Sequence, residues 1–260
     1  MTRPSRRDTE RARLARLTLI SMVVLGAAMI IDTMRSGASE GSEPEAPETT
    51  TTTSPPVTIE PLTASAGMAP VITRVETTDP VVFLTIDDGW TREPEALAAF
   101  EEAGMPATLF LLDPPVIEDA EFFRSMPDTL VEAHTQSHVD LTTVSHEQQR
   151  AEICGNADTI ERVLGRRPVL FRPPYGNYNE TTLRAAAECD MHAVVLWEQS
   201  LDGNAVSYRS ETRLRPGDII LMHFRHNFIE ELDTAIRHAE EAGLEFALLE
   251  DYIAPESVPD

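Results

Sequence analysis

Six residues of this 260-residue chain have the types and setting to do acid–base or metal chemistry: Asp87, Asp88, His134, His138, Arg172 and His223. Asp87 and Asp88 close the stretch FLTIDDG (83–89). Read alone, DG behind an apolar run is a turn, because Asp hydrogen-bonds its own backbone and Gly takes positive φ freely. EAHTQSHVD (132–140) sets His134 and His138 four residues apart, which faces both rings the same way if the segment turns helical. Two neutral imidazoles and one carboxylate make a three-ligand set of the catalytic zinc kind, leaving room for water and substrate. In LFRPPYGNYN (170–179), Arg172 follows a short apolar run. Pro173 and Pro174 stiffen that loop and Gly176 frees it, which suits presentation of backbone N–H groups to a developing oxyanion. IILMHF (219–224) carries His223, which reads either as a proton donor or as a core histidine at a strand end.

A scaffold must carry all six, and the sequence from Pro80 onward has the pattern of one. Apolar runs at 81–86, 107–112, 129–133, 169–171, 192–197, 218–222 and 244–248 alternate with helical patterns, giving seven predicted strands. Helix ends are marked by Pro94 and Gly104, by Ser145 with Gln148 as a capping box before Gly165, and by Asn227 with Glu230 before Gly243. The alternation predicts an α/β domain, either a barrel or a doubly wound sheet. Asp87 and Asp88 follow the first predicted strand, His134 and His138 the third, and Arg172 the fourth, while His223 ends the sixth. They therefore gather at C-terminal strand ends, where α/β barrels assemble groups from different strands. Nucleotide fingerprints are absent: there is no GxGxxG, and GxxxxGK is ruled out because the chain has no Lys.

Taken in order, TIDDG, HTQSH, RPPYG and LMH resemble the first, second, third and fifth motifs of the polysaccharide deacetylases with a NodB-type domain, carbohydrate esterase family 4, over about Val81 to Tyr252. The resemblance implies a distorted (β/α)7 barrel and a metal-dependent hydrolase that removes acetyl groups from N-acetylated, or O-acetylated, glycans. It implies Asp87 as catalytic base, Arg172 as the partner of that base and His223 as acid. Asp88, His134 and His138 become ligands of a divalent metal, zinc foremost, and Tyr175 the oxyanion contact through its backbone N–H. Pro173, Trp197 and Asp202 are candidates for the sugar-binding surface, though Trp197 reads first as a core aromatic. The fourth motif departs from the family: LWEQSLDGN (196–204) puts Ser200 where the family has the aspartate that orients the acid. Glu198 and Asp202 are out of register, so either Asp202 substitutes through another loop or His223 is less well tuned. Two other readings stay open: a non-catalytic glycan-binding domain with a structural metal site, and a hydrolase of small amides. His146, His192, His226 and His238 receive no role.

Composition bounds partners and place. A net charge of −23, with no basic stripe, excludes a nucleic-acid partner. The first sixteen residues hold six Arg against Asp8 and Glu10, and an uncharged apolar run follows from Leu17 to Ile31. A basic segment (1–16) before a membrane-insertion segment (17–34) is the grammar of export, as an anchor or a cleaved signal peptide. Residues 35–61, rich in Glu, Pro, Ser and Thr, bury too little to offset their ordering entropy and read as a stalk. The catalytic-sized domain is then 62–254, with a tail at 255–260. Outside the cytoplasm, Cys154 and Cys189 pair as a disulfide or remain two buried small hydrophobes. The expected protein is an extracytoplasmic monomer, tethered or secreted, whose partner is peptidoglycan or another N-acetylated polysaccharide.

Overall fold

Parallel pairing requires long crossovers between strands, and the capped helices between the apolar runs supply them. The computed structural model describes residues 67–203 and 205–253. The predicted segments 1–16, 17–34, 35–61 and 255–260 lie outside the described residues. Among the described residues, no helix is long and apolar enough to cross a membrane. The chain runs β1 (Val71–Ile72), β2 (Val81–Asp88), α1 (Pro94–Ala103), β3 (Ala107–Leu111), α2 (Asp113–Glu118), α3 (Ala120–Ser125), β4 (Thr129–Ala133) and α4 (His146–Leu164). It continues with β5 (Leu170–Phe171), α5 (Glu180–Glu188), β6 (Ala193–Val195), β7 (Gln199–Asp202), β8 (Ala205–Tyr208), β9 (Ile219–His223), α6 (Phe228–Ala242) and β10 (Glu245–Phe246).

The strands lie in the order β1-β6-β5-β4-β3-β2-β9-β7-β8, with β10 paired to the start of β2. The ladders are parallel except in the β7–β8 hairpin. Among the described residues no pair joins β1 to β8, so the distorted barrel is a half-barrel open on that side. The seven predicted strands are β2, β3, β4, β5, β6, β9 and β10.

Alternation along β2 assigns its two faces. Val82, Leu84 and Ile86 pack with Phe100 of α1 and Phe228 and Leu232 of α6. Phe83, Thr85 and Asp87 take the opposite, inner face, as a period of two requires; Phe83 packs there with Phe110, Leu170, Val195 and Leu249. A third cluster joins α4 and α5 to the sheet through Ile153, Ala157, Ala185 and Val194. The Cys154–Cys189 disulfide ties α4 to the residue that ends α5. Ser145 and Gln148 form a reciprocal capping box on α4, and Gly165 ends that helix at φ 87°. The box expected at Asn227 and Glu230 does not form. Asn227 instead donates to Glu231 Oε1 at 2.8 Å, one residue further into α6.

The inner face also holds carboxylates. Glu132 of β4 is fully buried and accepts from the Val169 and Leu170 N–H groups, at 2.7 Å each, and from Arg166. Glu250, in the short turn Leu249–Asp251, accepts from Thr108 Oγ1 at 2.8 Å. Burial, and then the charge of Glu132, push the Glu250 carboxyl up from 4.5 to about 8. Between those values the folded chain keeps a proton that the unfolded chain has released, so stability falls as pH rises through that window and levels off above it. Glu250→Gln is therefore expected to raise the melting temperature at about pH 8 and to leave it unchanged at about pH 4. Thermal melts with the same pH slope in both proteins would overturn this assignment.

Candidate functional site

Register brings the candidate residues to one edge. Asp87 lies opposite His223 of β9 and Phe110 of β3, and Asp88 opposite Leu111. Ala133 pairs with Phe171, so His134 and Arg172 leave β4 and β5 at the same level. Neighbouring residues of a strand normally face opposite sides, but Asp88 is left-handed at φ 73° and Gly89 follows at φ 90°. Both carboxylates thereby turn toward one place. A Cβ at Gly89 would stand 2.9 Å from the Phe123 ring, so only glycine fits the turn.

The segment between His134 and His138 does not turn helical. Four residues of helix would advance the chain about 6 Å. Left-handed Thr135 (φ 82°) and His138 (φ 61°) fold it back instead, and Thr135 Oγ1 accepts the His138 N–H at 3.1 Å. The rings meet edge to face, their centroids 5.2 Å apart.

Arg172 is fully buried and its guanidinium is well supplied with acceptors. Nη1 donates to Asp87 Oδ1 at 2.7 Å and to Thr85 Oγ1 at 2.8 Å, while Nε and Nη2 donate to the Val195 and Leu196 carbonyls at 3.2 Å. The Phe110 ring stacks 4.2 Å from the guanidinium carbon. Asp87 Oδ2 remains 3.7 Å from His134 Nε2.

His134 Nδ1–H donates to the Arg172 carbonyl at 2.7 Å, which fixes the tautomer and turns the Nε2 lone pair toward Asp88. Asp88 Oδ1 lies 3.5 Å from that Nε2 and 3.4 Å from His138 Nε2. This oxygen is buried and makes no hydrogen bond among the described residues. A bare buried oxygen facing two ring nitrogens is unfavourable unless a cation sits among them. Ligand atoms of Asp88, His134 and His138 lie within 4.8 Å of one another, an O, N, N set suited to a divalent ion.

Electrostatics follow the same geometry. Burial opposes charge on His134, but Asp87 and Asp88 outweigh it and raise its pKa. Burial opposes ionisation of Asp88 too, and the histidines outweigh it and lower its pKa. Burial, and then the charge of His134, lower His138; burial also lowers His223, with Arg225 adding to the effect.

The sugar-side candidates are dispersed. Tyr175, left-handed at φ 61°, is exposed, and its ring centroid lies 4.6 Å from that of His138. Trp197 is half-buried against Gly176, where a Cβ would stand 2.8 Å from the indole; Pro173, buried, leads into that turn. Asp202 turns outward to Arg225 at 2.8 Å. Glu198 is buried on the N–H and hydroxyl of Ser210. His223 Nδ1 is buried and has no hydrogen-bond partner among the described residues, so neither Glu198 nor Asp202 serves it.

Sequence reasoning missed the support behind His134. Asn156 Oδ1 accepts the His134 N–H at 2.9 Å, and its Nδ2 donates to the Leu111 carbonyl at 3.1 Å and to Asp113 Oδ1 at 2.7 Å. The available signal was a buried-side polar residue on α4, which periodicity alone does not tie to a histidine.

The family model described as polysaccharide deacetylase matches residues 74–194. The chain is 41% identical over 195 residues to an uncharacterised protein of Streptomyces coelicolor, covering 72% of this chain and 78% of that one. It is 29% identical over 186 residues to a peptidoglycan-N-acetylglucosamine deacetylase of Bacillus cereus, covering 65% of this chain and 66% of the relative. A solved family 4 carbohydrate esterase from Bacillus anthracis superposes with a TM-score of 0.60 at 26% identity, covering 70% of this chain and 86% of that one.

Proposed function

The chain belongs to the polysaccharide deacetylase family, carbohydrate esterase family 4, and from that premise we propose that it hydrolyses the acetamido groups of an envelope glycan outside the cytoplasmic membrane. The carrying observation is the juxtaposition of the buried Arg172–Asp87 pair with the bare Oδ1 of Asp88 between two imidazoles. Asp88, His134 and His138 would hold a divalent ion, zinc by its donor set, which would supply an acidified water and a polarised acyl carbonyl. Asp87, held by Arg172, takes the proton of the attacking water. The tetrahedral oxyanion is met by the Tyr175 backbone N–H. The carbon–nitrogen bond then breaks as His223 hands a proton to the leaving nitrogen. Acetate and a free amino sugar are the products. Peptidoglycan is the proposed polymer, because segment 17–34 and stalk 35–61 would hold the 62–254 domain beside the wall, and because a relative of 29% identity is named for that substrate. Trp197 and Tyr175 would flank the sugar.

The unpartnered Nδ1 of His223 favours a second reading, a glycan-binding domain that keeps a metal without turnover. One assay separates the two. The purified full chain is expected to release acetate from peptidoglycan fragments, to lose that activity to a chelator and to regain it with zinc. Full zinc occupancy with no acetate from peptidoglycan, chitin oligomers or acetylated xylan would establish the binding reading instead.

A further inference from the structure

The loop between the two histidines exposes backbone donors that no strand or helix uses, and one side chain collects them. Gln136 N–H and Ser137 N–H both donate to Glu152 Oε2, at 3.0 and 2.9 Å, and Ser137 Oγ donates to Glu152 Oε1 at 2.7 Å. One helical turn further along α4, Asn156 accepts the His134 N–H. Asn156 is itself fixed by Asp113, whose other oxygen accepts from Thr159 Oγ1 at 2.9 Å. Between the two stands Gly155, where a Cβ would lie 2.6 Å from the side-chain amide of Gln136. The Gln136 side chain thus lies across the helix at the position that has no side chain of its own. Residues 152, 155, 156 and 159 recur at helical spacing, beside the apolar stripe of Ile153, Ala157 and Ile160. One helix thus carries two faces with different tasks: an apolar one that anchors it to the sheet and a polar one that grips the histidine loop.

We propose that Glu152 and Asn156 are positioning residues that set the two imidazoles for metal capture. They hold the backbone on either side of Thr135, whose left-handed conformation an unsupported loop would relax. With both anchors in place, Nε2 of His134 and of His138 face Asp88 before an ion arrives, so the ion need not order the loop itself. This inference rests on the proposed metal site but not on turnover.

The test measures zinc affinity of the full chain by competition with a chromophoric chelator, beside a thermal melt of each apo-protein. Glu152→Ala is expected to weaken zinc binding about 10–100-fold, the range typical of lost support behind a metal ligand. Glu152→Gln, which keeps one acceptor oxygen for the loop, is expected to recover part of that loss. Ile153→Val supplies the control, since it loosens α4 in the core without touching the loop: its melting temperature falls while its zinc affinity stays at the wild-type value. Wild-type affinity in Glu152→Ala, or an equal loss of affinity in Ile153→Val, overturns the proposal. Zinc binding that responds as expected in a chain that releases no acetate would sink the deacetylase reading and leave this one standing.

Discussion

Asp87→Asn is expected to lower acetate release by about 10²–10⁴, the range for removing a positioned general base, with the zinc content of the protein unchanged. Separation of the two effects follows from geometry. Asp88, His134 and His138 provide the close ligand set, whereas Asp87 spends one oxygen on Arg172 and presents the other toward His134 at 3.7 Å. The amide keeps the size and one acceptor of the acid but cannot take a proton at neutral pH. Because the change also leaves the buried guanidinium without its anion, rates must be compared well below the variant's melting temperature. Acetate release at the wild-type rate from a zinc-loaded Asp87→Asn protein would remove Asp87 from the mechanism.

Arg172→Met is expected to destabilise the fold by about 3–5 kcal/mol, because it strands the Asp87 carboxylate in the inner face without a partner. The loss is larger than for a surface ion pair since Arg172 is 0% exposed and packs on Phe110 while donating to Thr85, Val195 and Leu196. A double variant, Asp87→Asn with Arg172→Met, is expected to be more stable than Arg172→Met alone, because neither member of the pair is then a buried charge without its counter-ion. Denaturant melts of the four proteins in the cycle measure the coupling. Additive losses would mean that the pair does not act as a unit.

Much of this arrangement was legible in the sequence, for reasons that differ by element. Strand runs such as VVFLTI and the Ser145–Gln148 cap are local signals, and β2 and α4 form where those signals stand. The collection of polar residues at strand ends was legible because parallel register keeps C-terminal ends level. The β7–β8 hairpin was not, since QSLD lacks the β-branched alternation of a strand and its Gly203 turn sits in a stretch first weighed for catalysis. α2 was hidden by Pro114 and Pro115, which look like a break but are tolerated in the first turn, where no helix hydrogen bond is needed. A left-handed backbone at Thr135 is not announced by its residue type, so the sequence left open whether the histidine loop turns helical. Glu152 and Asn156 remained invisible because their partners are twelve or more residues away and their spacing also fits a solvated helix face.

The left-handed backbones gather in a telling place. Among the described residues, six non-glycine positions have positive φ: Asp88, Thr135, His138 and Tyr175 stand at the site, and Asp128 and Asp190 elsewhere. Such conformations cost of order 1–3 kcal/mol each, and glycine would adopt them freely. Among the described residues, backbone strain is therefore concentrated where the candidate ligands and the candidate oxyanion contact stand, held there by the packing around them.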